Sequence, residues 1–96
     1  MNDPYLMAMA KKYIWWEAPK DAVEFPDRVI AQVMNLGDGP DVQQLVSHAG
    51  EPRLRAVVTH AEAGWFTARS WHYWHYRLGL SDIDHAPPRL PERRMS

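Results

Sequence analysis

The side chains most able to take part in catalysis or binding lie in one repeated triplet, WHYWHY at residues 71–76. On an α-helix each residue turns by ~100°, so residues three apart lie on neighbouring faces. His72 and His75 have the spacing to contact one metal ion together. A closed zinc site takes about four ligands, and the chain contains no cysteine. Two histidines do not complete such a site, and we predict neither a metal nor a cofactor.

Other residues that serve in catalysis are present without their usual surroundings. Ser47, Ser70 and Ser81 lie in no nucleophile-elbow sequence. The run GDG at 37–39 lacks the spacing of a phosphate-binding loop and indicates a turn between helices. A chain of 96 residues leaves little room for a catalytic cleft. We therefore predict that the protein is not an enzyme.

The same aromatic segment is well suited to packing and to binding another protein. Helical spacing places Trp71, Trp74 and Leu78 on one stripe, which we assign to the core. Trp, Tyr and Arg are enriched at the energetic centres of protein interfaces. The segment around the repeat supplies several of them, with two histidines beside them. The predicted partner-binding residues are Trp65, Arg69, His72, His75, Tyr76 and Arg77.

Proline and glycine mark where helices must begin and end. Asp3-Pro4, Pro26-Asp27 and Glu51-Pro52 are typical helix starts, and Thr67 is a suitable N-cap for the aromatic helix. Gly37 occupies a position typical of a C-terminal cap. The predicted helices run from Tyr5 to about Trp15, from Pro26 to Leu36, from about Gly39 to Ala49, from Glu51 to about Ala61, and from Ala68 to Leu78.

These elements predict an all-α fold, a compact bundle of about five short helices. The β-branched run at 57–59 also permits a strand, but the capping residues on both sides favour a helix. Residues 1–80 form the predicted single domain. Residues 81–96 are rich in Pro and Arg and form a predicted irregular, solvated tail.

Composition narrows the remaining classes of function. Eleven basic and twelve acidic residues give a net charge of −1, which does not favour nucleic acid as the partner. The stretches without charged residues are too short for a transmembrane helix, and the start of the chain has no signal-peptide pattern. The absence of cysteine fits a reducing compartment. We expect a cytoplasmic protein that does not contact membranes, and the oligomeric state stays open.

One alternative function comes from the two middle helices. The segment 41–61 has the layout of a helix-turn-helix pair, with Arg53 and Arg55 near the start of its second helix. The alternative prediction is therefore a small DNA-binding regulator. An acidic residue, Glu51, and Pro52 lie at the turn, and with the net charge near zero they favour an ordinary helical hairpin.

The linear order of these features resembles a family of small bacterial proteins whose genes lie beside those of AbiE-type nucleotidyltransferase toxins. The matching runs are YIWW at 13–16, FPDRVIAQVMNLGD at 25–38, DVQQL at 41–45, RLRAVV at 53–58, GWFTARSW at 64–71 and WHYRLG at 74–79. The resemblance covers about residues 13–80. It implies a cytoplasmic, all-helical accessory protein, an antitoxin-like partner of a nucleotidyltransferase, and it implies no catalytic residues.

Overall fold

In the computed structural model, residues 3–91 are described, and within that range the chain forms six α-helices and no β-strand. The predicted all-α fold class is confirmed. The helices are α1 (Pro4–Tyr13), α2 (Pro19–Ala22), α3 (Pro26–Leu36), α4 (Gly39–Ala49), α5 (Glu51–Thr59) and α6 (Ala68–Arg77).

Local chemistry accounts for most of the helix starts. Each of α1 to α5 has a proline in its first two positions, where the missing N–H costs no helical hydrogen bond. The side chain of Asp3 accepts hydrogen bonds from the backbone N–H groups of Tyr5 and Leu6. Thr67 accepts one from the N–H of Ser70 at 3.2 Å, which confirms it as the cap of α6.

The end of the first helix and the connector after it differ from the prediction. The first helix ends at Tyr13, because Ile14 leaves the helical conformation and turns its side chain into the core. Trp15 and Trp16 consequently lie outside the helix and point into solvent. The connector that follows contains the short helix α2, which the sequence did not predict as a separate element.

Two glycines end helices for different reasons. Gly79 follows α6 with φ 73°, and Leu80 N–H donates to the His75 carbonyl oxygen at 2.9 Å, which is the Schellman arrangement. Gly37 follows α3 with φ −64°, so it is not the left-handed cap that its position predicts. A Cβ there would lie 2.5 Å from the Val33 carbonyl oxygen, so close backbone approach explains this glycine.

The helix α3 is the centre of the bundle and contacts all five other helices. Its sequence buries side chains on more than one face, as such a position requires. The core that forms around it comprises Leu6, Met9, Ala10, Ile14, Ala22, Val29, Ile30, Ala31, Val33, Met34, Leu45, Leu54, Val57, Val58, Phe66, Trp71, Trp74 and Leu78.

The chain after α6 is irregular over 81–91, as predicted, but it is not simply solvated. Ser81 is buried, and Leu90 packs against the core. The indole N–H of Trp71 donates to the Pro88 carbonyl oxygen at 2.7 Å. The expectation of a free terminus is therefore wrong for this part of the tail. Residues 92–96 lie outside the described residues.

Candidate functional site

The inward face of α6 carries the three side chains assigned to the core. Trp71, Trp74 and Leu78 are all buried, which confirms their assignment. Trp74 donates its indole N–H to the Met34 carbonyl oxygen at 2.8 Å, so its single polar atom is satisfied inside the protein. This hydrogen bond also ties α6 to the last turn of α3.

His75 is the predicted surface residue that the structure places in the interior. Only 4% of its surface is exposed, its ring lies 4.3 Å from that of Trp71, and its Nδ1 lies 2.8 Å from the Trp71 carbonyl oxygen. The helix α6 packs against both α3 and α5, so its buried arc is wide enough to include position 75. His72 is exposed and cannot share a ligand with it. Within 3–91, no group of three metal-binding side chains forms.

The other predicted partner-binding residues separate onto three surfaces. Arg69 and Arg77 line one groove, Trp65 lines another, and His72 and Tyr76 are exposed on α6 outside both. The single binding face expected from the sequence is therefore divided. Each groove has its own walls and its own chemistry.

The first groove, which we call the arginine groove, has a volume of about 890 Å³ and lies between α6 and the turn that joins α3 to α4. Arg69, Tyr73 and Arg77 follow one another at four-residue spacing along its α6 wall. Among residues 3–91, no carboxylate lines it. The lining residues are Met34, Asn35, Gly37, Gly39, Pro40, Val42, Gln43, Thr67, Arg69, Ser70, Tyr73, Trp74 and Arg77.

Arg77 is held in place by aromatic contacts. Its guanidinium carbon lies 4.9 Å from the centre of the Trp74 ring, and its Nη1 donates to the Tyr73 hydroxyl at 2.9 Å. Asn35 supports the opposite end of the wall, because its side-chain oxygen accepts from the Thr67 N–H at 2.9 Å. The groove is thus built on helices and hydrogen-bonded to the core.

The second groove, which we call the aromatic groove, has a volume of about 620 Å³ and is lined by Trp16, Phe25 and Trp65. Trp16 is 58% exposed and Phe25 is 62% exposed, while Trp65 is half-buried. Trp15, 77% exposed, meets Trp16 edge to face with ring centres 5.6 Å apart. Ile14 and Ala31, both buried, also line this groove. All three lining aromatic rings come from segments between helices.

A charged pair lies beside these rings. Arg28 forms an ion pair with Glu17, and its guanidinium carbon lies 5.7 Å from the centre of the Phe25 ring. Its Nε is buried and has no hydrogen-bond partner among the described residues. Arg28 therefore lines the aromatic groove with one donor unused.

Trp16 and Phe25 were not among the residues predicted from the sequence to bind a partner. Two signals in the sequence could have identified them. Trp15 and Trp16 are two adjacent large aromatic residues at the end of the predicted first helix, and Phe25 directly precedes the helix-starting Pro26. The residues predicted to bind a partner lie instead in and just before the aromatic helix, where the triplet WHY is repeated.

The two arginines of the DNA-binding alternative are both engaged within the protein. Arg53 donates from Nε and Nη2 to Oδ1 of Asp27, at 3.0 and 2.7 Å. Arg55 donates to the Leu78 carbonyl oxygen at 3.0 Å and to Glu51 at 3.2 Å. Each positive charge therefore has a carboxylate beside it, which weakens the field that a phosphate backbone would meet.

A polar cluster joins α1 to the beginning of α4, near one wall of the arginine groove. Lys12 Nζ and the Tyr13 hydroxyl each lie 2.6 Å from Oδ2 of Asp41. These hydrogen bonds, that from Lys12 first, hold the pKa of Asp41 below its usual value. Burial and the Asp41 charge raise the pKa of Tyr5 to about 12. The hydrogen bond from His48 likewise lowers the pKa of Asp3.

No family model matches the chain, and neither the curated proteins nor the solved structures include a detectable relative. None of the helices described between residues 3 and 91 has the length and apolar character needed to cross a membrane. Any functional conclusion therefore depends on the two grooves and on the sequence pattern.

Proposed function

We propose that this chain is a non-enzymatic protein-interaction domain that binds its partner through the aromatic groove. The observation that carries the proposal is the cluster of exposed rings, Trp16 and Phe25 beside the half-buried Trp65. Exposed apolar side chains are ordinary when scattered, but rings gathered around one depression mark binding surfaces. Tryptophan is also among the residues that most often dominate binding energy.

The groove offers both an apolar base and polar groups at its edge. Ile14 and Ala31 supply apolar contacts, while Arg28, Gln32 and Glu62 supply polar ones. This arrangement of an apolar centre and a polar rim is typical of protein interfaces. A partner side chain inserted between the rings would remove a large apolar area from water. Each Å² buried in this way contributes about 25 cal/mol of favourable free energy to binding.

The proposed partner is a nucleotidyltransferase toxin, bound in an antitoxin-like manner. The support for this identity is the resemblance of residues 13–80 to the family encoded beside such toxins. In this mechanism the domain, acting in the cytoplasm, covers the nucleotide or substrate site of the toxin, or holds the toxin inactive. Arg69, His72, Tyr76 and Arg77 are then candidates for a second contact area on α6.

The first test is co-purification of the tagged full-length chain from its native host, followed by identification of the proteins that it retains. We expect a nucleotidyltransferase in stoichiometric amount. Recovery of the chain alone, or with nucleic acid only, would contradict the toxin partner. Recovery of a different protein through the aromatic groove would keep the interaction function and remove the antitoxin role.

Variants of the purified pair then locate the binding surface. Trp16→Ala and Phe25→Ala should each weaken binding by at least about thirtyfold, the equivalent of the ~2 kcal/mol of a hot spot. Leu36→Ser is the matched control, because Leu36 is similarly exposed and does not line the groove. Tyr76→Ala tests the α6 face. Unchanged affinity in both groove variants would exclude the aromatic groove as the binding surface.

A further inference from the structure

The arginine groove carries a positive charge that the described chain leaves without compensation. Arg28, Arg53 and Arg55 each form an ion pair with a carboxylate. Within residues 3–91, Arg69 and Arg77 form none. They are eight residues apart on α6, or about 12 Å along its axis at the helical rise. Two guanidinium groups therefore line one groove to which the described part of the chain contributes no acidic residue.

Between these charges, apolar and polar side chains both line the groove. Val42 and the exposed Tyr73, which lies midway between the two arginines on α6, offer apolar surface beside the nearly buried Met34 and Trp74. A complementary ligand would carry two negative charges with an apolar side chain beside them. Such a ligand would pair both arginines and also remove apolar surface from water.

The same chain displays a segment of this composition just after α6. Ile83 is 97% exposed and is flanked by Asp82 and Asp84, both of which are exposed. Backbone hydrogen bonds in both directions between Asp82 and His85, at 3.0 and 3.1 Å, close the segment into a tight turn. Oδ1 of Asp82 also accepts from the Asp84 N–H at 2.9 Å and lies 2.9 Å from Nδ1 of His85. These hydrogen bonds restrain the turn before any ligand is bound, which lowers the entropy cost of binding.

We propose that two copies of this chain form a dimer in which the 82–85 turn of each copy inserts into the arginine groove of the other. Ile83 then lies against the apolar lining, and the carboxylates of Asp82 and Asp84 pair with Arg69 and Arg77. Within one copy these groups do not meet, since Ile83 is almost fully exposed and neither arginine forms an ion pair with an acidic residue between positions 3 and 91. The proposal does not depend on the partner of the aromatic groove.

A reciprocal arrangement increases the surface area that the proposed dimer buries. Stable interfaces bury about 1,200–2,000 Å², more than one short turn in one groove offers. A two-fold axis doubles the contact, because the same surface is then used on both copies. The turn follows α6 closely along the chain, so an antiparallel pair of α6 helices brings the turn of one copy near the Arg69 end of the other. Tyr73 and Tyr76, both exposed, add apolar area to that interface.

Sedimentation equilibrium of the full chain tests the dimer directly. At low salt we expect a monomer–dimer equilibrium with a Kd between about 1 μM and about 1 mM, the range of weak complexes. Raising the salt to about 0.5 M should raise the Kd, because exposed charges are screened over a shorter distance. A chain that is monomeric at about 1 mM under low salt would overturn the proposal.

Charge variants identify the surfaces. Arg77→Glu should raise the dimer Kd by at least about thirtyfold, because two like charges then face each other. Arg89→Glu is the matched control, since Arg89 is exposed, lies outside the groove and undergoes the same change of charge. Ile83→Ser should abolish the dimer while leaving the melting temperature unchanged. A dimer that persists in Arg77→Glu or in Ile83→Ser would contradict the proposal.

A charge exchange separates direct pairing from a general effect of charge. Arg69→Glu/Arg77→Glu and Asp82→Lys/Asp84→Lys should each be monomeric alone, because in each chain the turn now repels the groove. When the two chains are mixed, both reciprocal contacts become attractive again, and a heterodimer should form. Failure of the mixture to associate would overturn the proposal. Trp16→Ala should leave the dimer intact, so this outcome is independent of the proposed partner site.

Discussion

The aromatic groove and the arginine groove differ in what builds them and in the interaction they offer. The aromatic groove is lined by Trp16, Phe25 and Trp65, all from segments between helices, and offers mainly apolar rings. The arginine groove is lined by successive turns of α6 and offers two charges above an apolar base. Loops tolerate exposed side chains because they bear little of the packing, whereas a helix wall must also serve the core.

The difference is clearest in the tryptophans. Trp74 lines the arginine groove yet is almost completely buried and hydrogen-bonded to the Met34 carbonyl oxygen. Trp16 lines the aromatic groove with more than half of its surface exposed. The same residue type thus supports the fold at one groove and is available for binding at the other.

The largest expected effect is a loss of stability on substitution of Trp74, at the base of the arginine groove. Trp74→Ala should lower the free energy of unfolding by about 3–5 kcal/mol, because it leaves a cavity in the core. Trp16→Ala should change it by no more than about 0.5 kcal/mol, as for most surface substitutions. Urea denaturation of both variants measures the contrast. A similar loss of stability in the two would mean that Trp16 also belongs to the core.

An intermediate effect on stability is expected at the polar cluster that joins α1 to α4 beside the arginine groove. Asp41 has a pKa below its unfolded value in the folded protein, so its contribution to stability is present above that unfolded value, near 3.8. The contribution is lost as the pH falls through the folded pKa. The melting temperature should therefore drop more steeply below about pH 4 in the wild-type protein than in Asp41→Asn.

The control for this titration is Asp21→Asn, because Asp21 is exposed and forms no ion pair among residues 3–91. Its acid profile should follow the wild type. Equal profiles for Asp41→Asn and the wild type would show that the contacts of Lys12 and Tyr13 with Asp41 do not stabilise the folded state. Trp16 has no titrating group, so Trp16→Ala should keep the wild-type profile.

The smallest effect lies at the exposed ion pair beside the aromatic groove. Arg53→Ala removes the pair with Asp27 and should cost less than about 1 kcal/mol, the usual value for exposed pairs. The same variant tests the DNA-binding alternative. Because Asp27 neutralises this arginine, we expect no salt-dependent affinity for duplex DNA in the wild type, measured by fluorescence anisotropy. Tight binding that Arg53→Ala abolishes would favour the DNA-binding function instead.

Much of the helix pattern could be predicted because its causes are local. Proline at helix starts, the side-chain caps Asp3 and Thr67, and the left-handed Gly79 act within a few residues. The inward stripe of α6 also followed from helical spacing, and Trp71, Trp74 and Leu78 are buried as predicted. These features depend on backbone geometry that every helix shares.

Other features depend on which elements meet, and periodicity does not specify that. The burial of His75 requires both α3 and α5 to pack against α6. The exposure of Trp16 depends on the turn at Ile14, whose side chain the core takes up. Residues far apart in the chain, such as Phe25 and Trp65, form one groove only when the bundle has assembled.

Composition and local order thus specified an all-α chain, its capped helices and the buried stripe of its last helix, because each follows from interactions between residues close in sequence. The division of the aromatic and basic side chains between two grooves arose from packing around α3. A helix has more than one face able to be buried, and only contacts between distant segments determine which of them stays exposed.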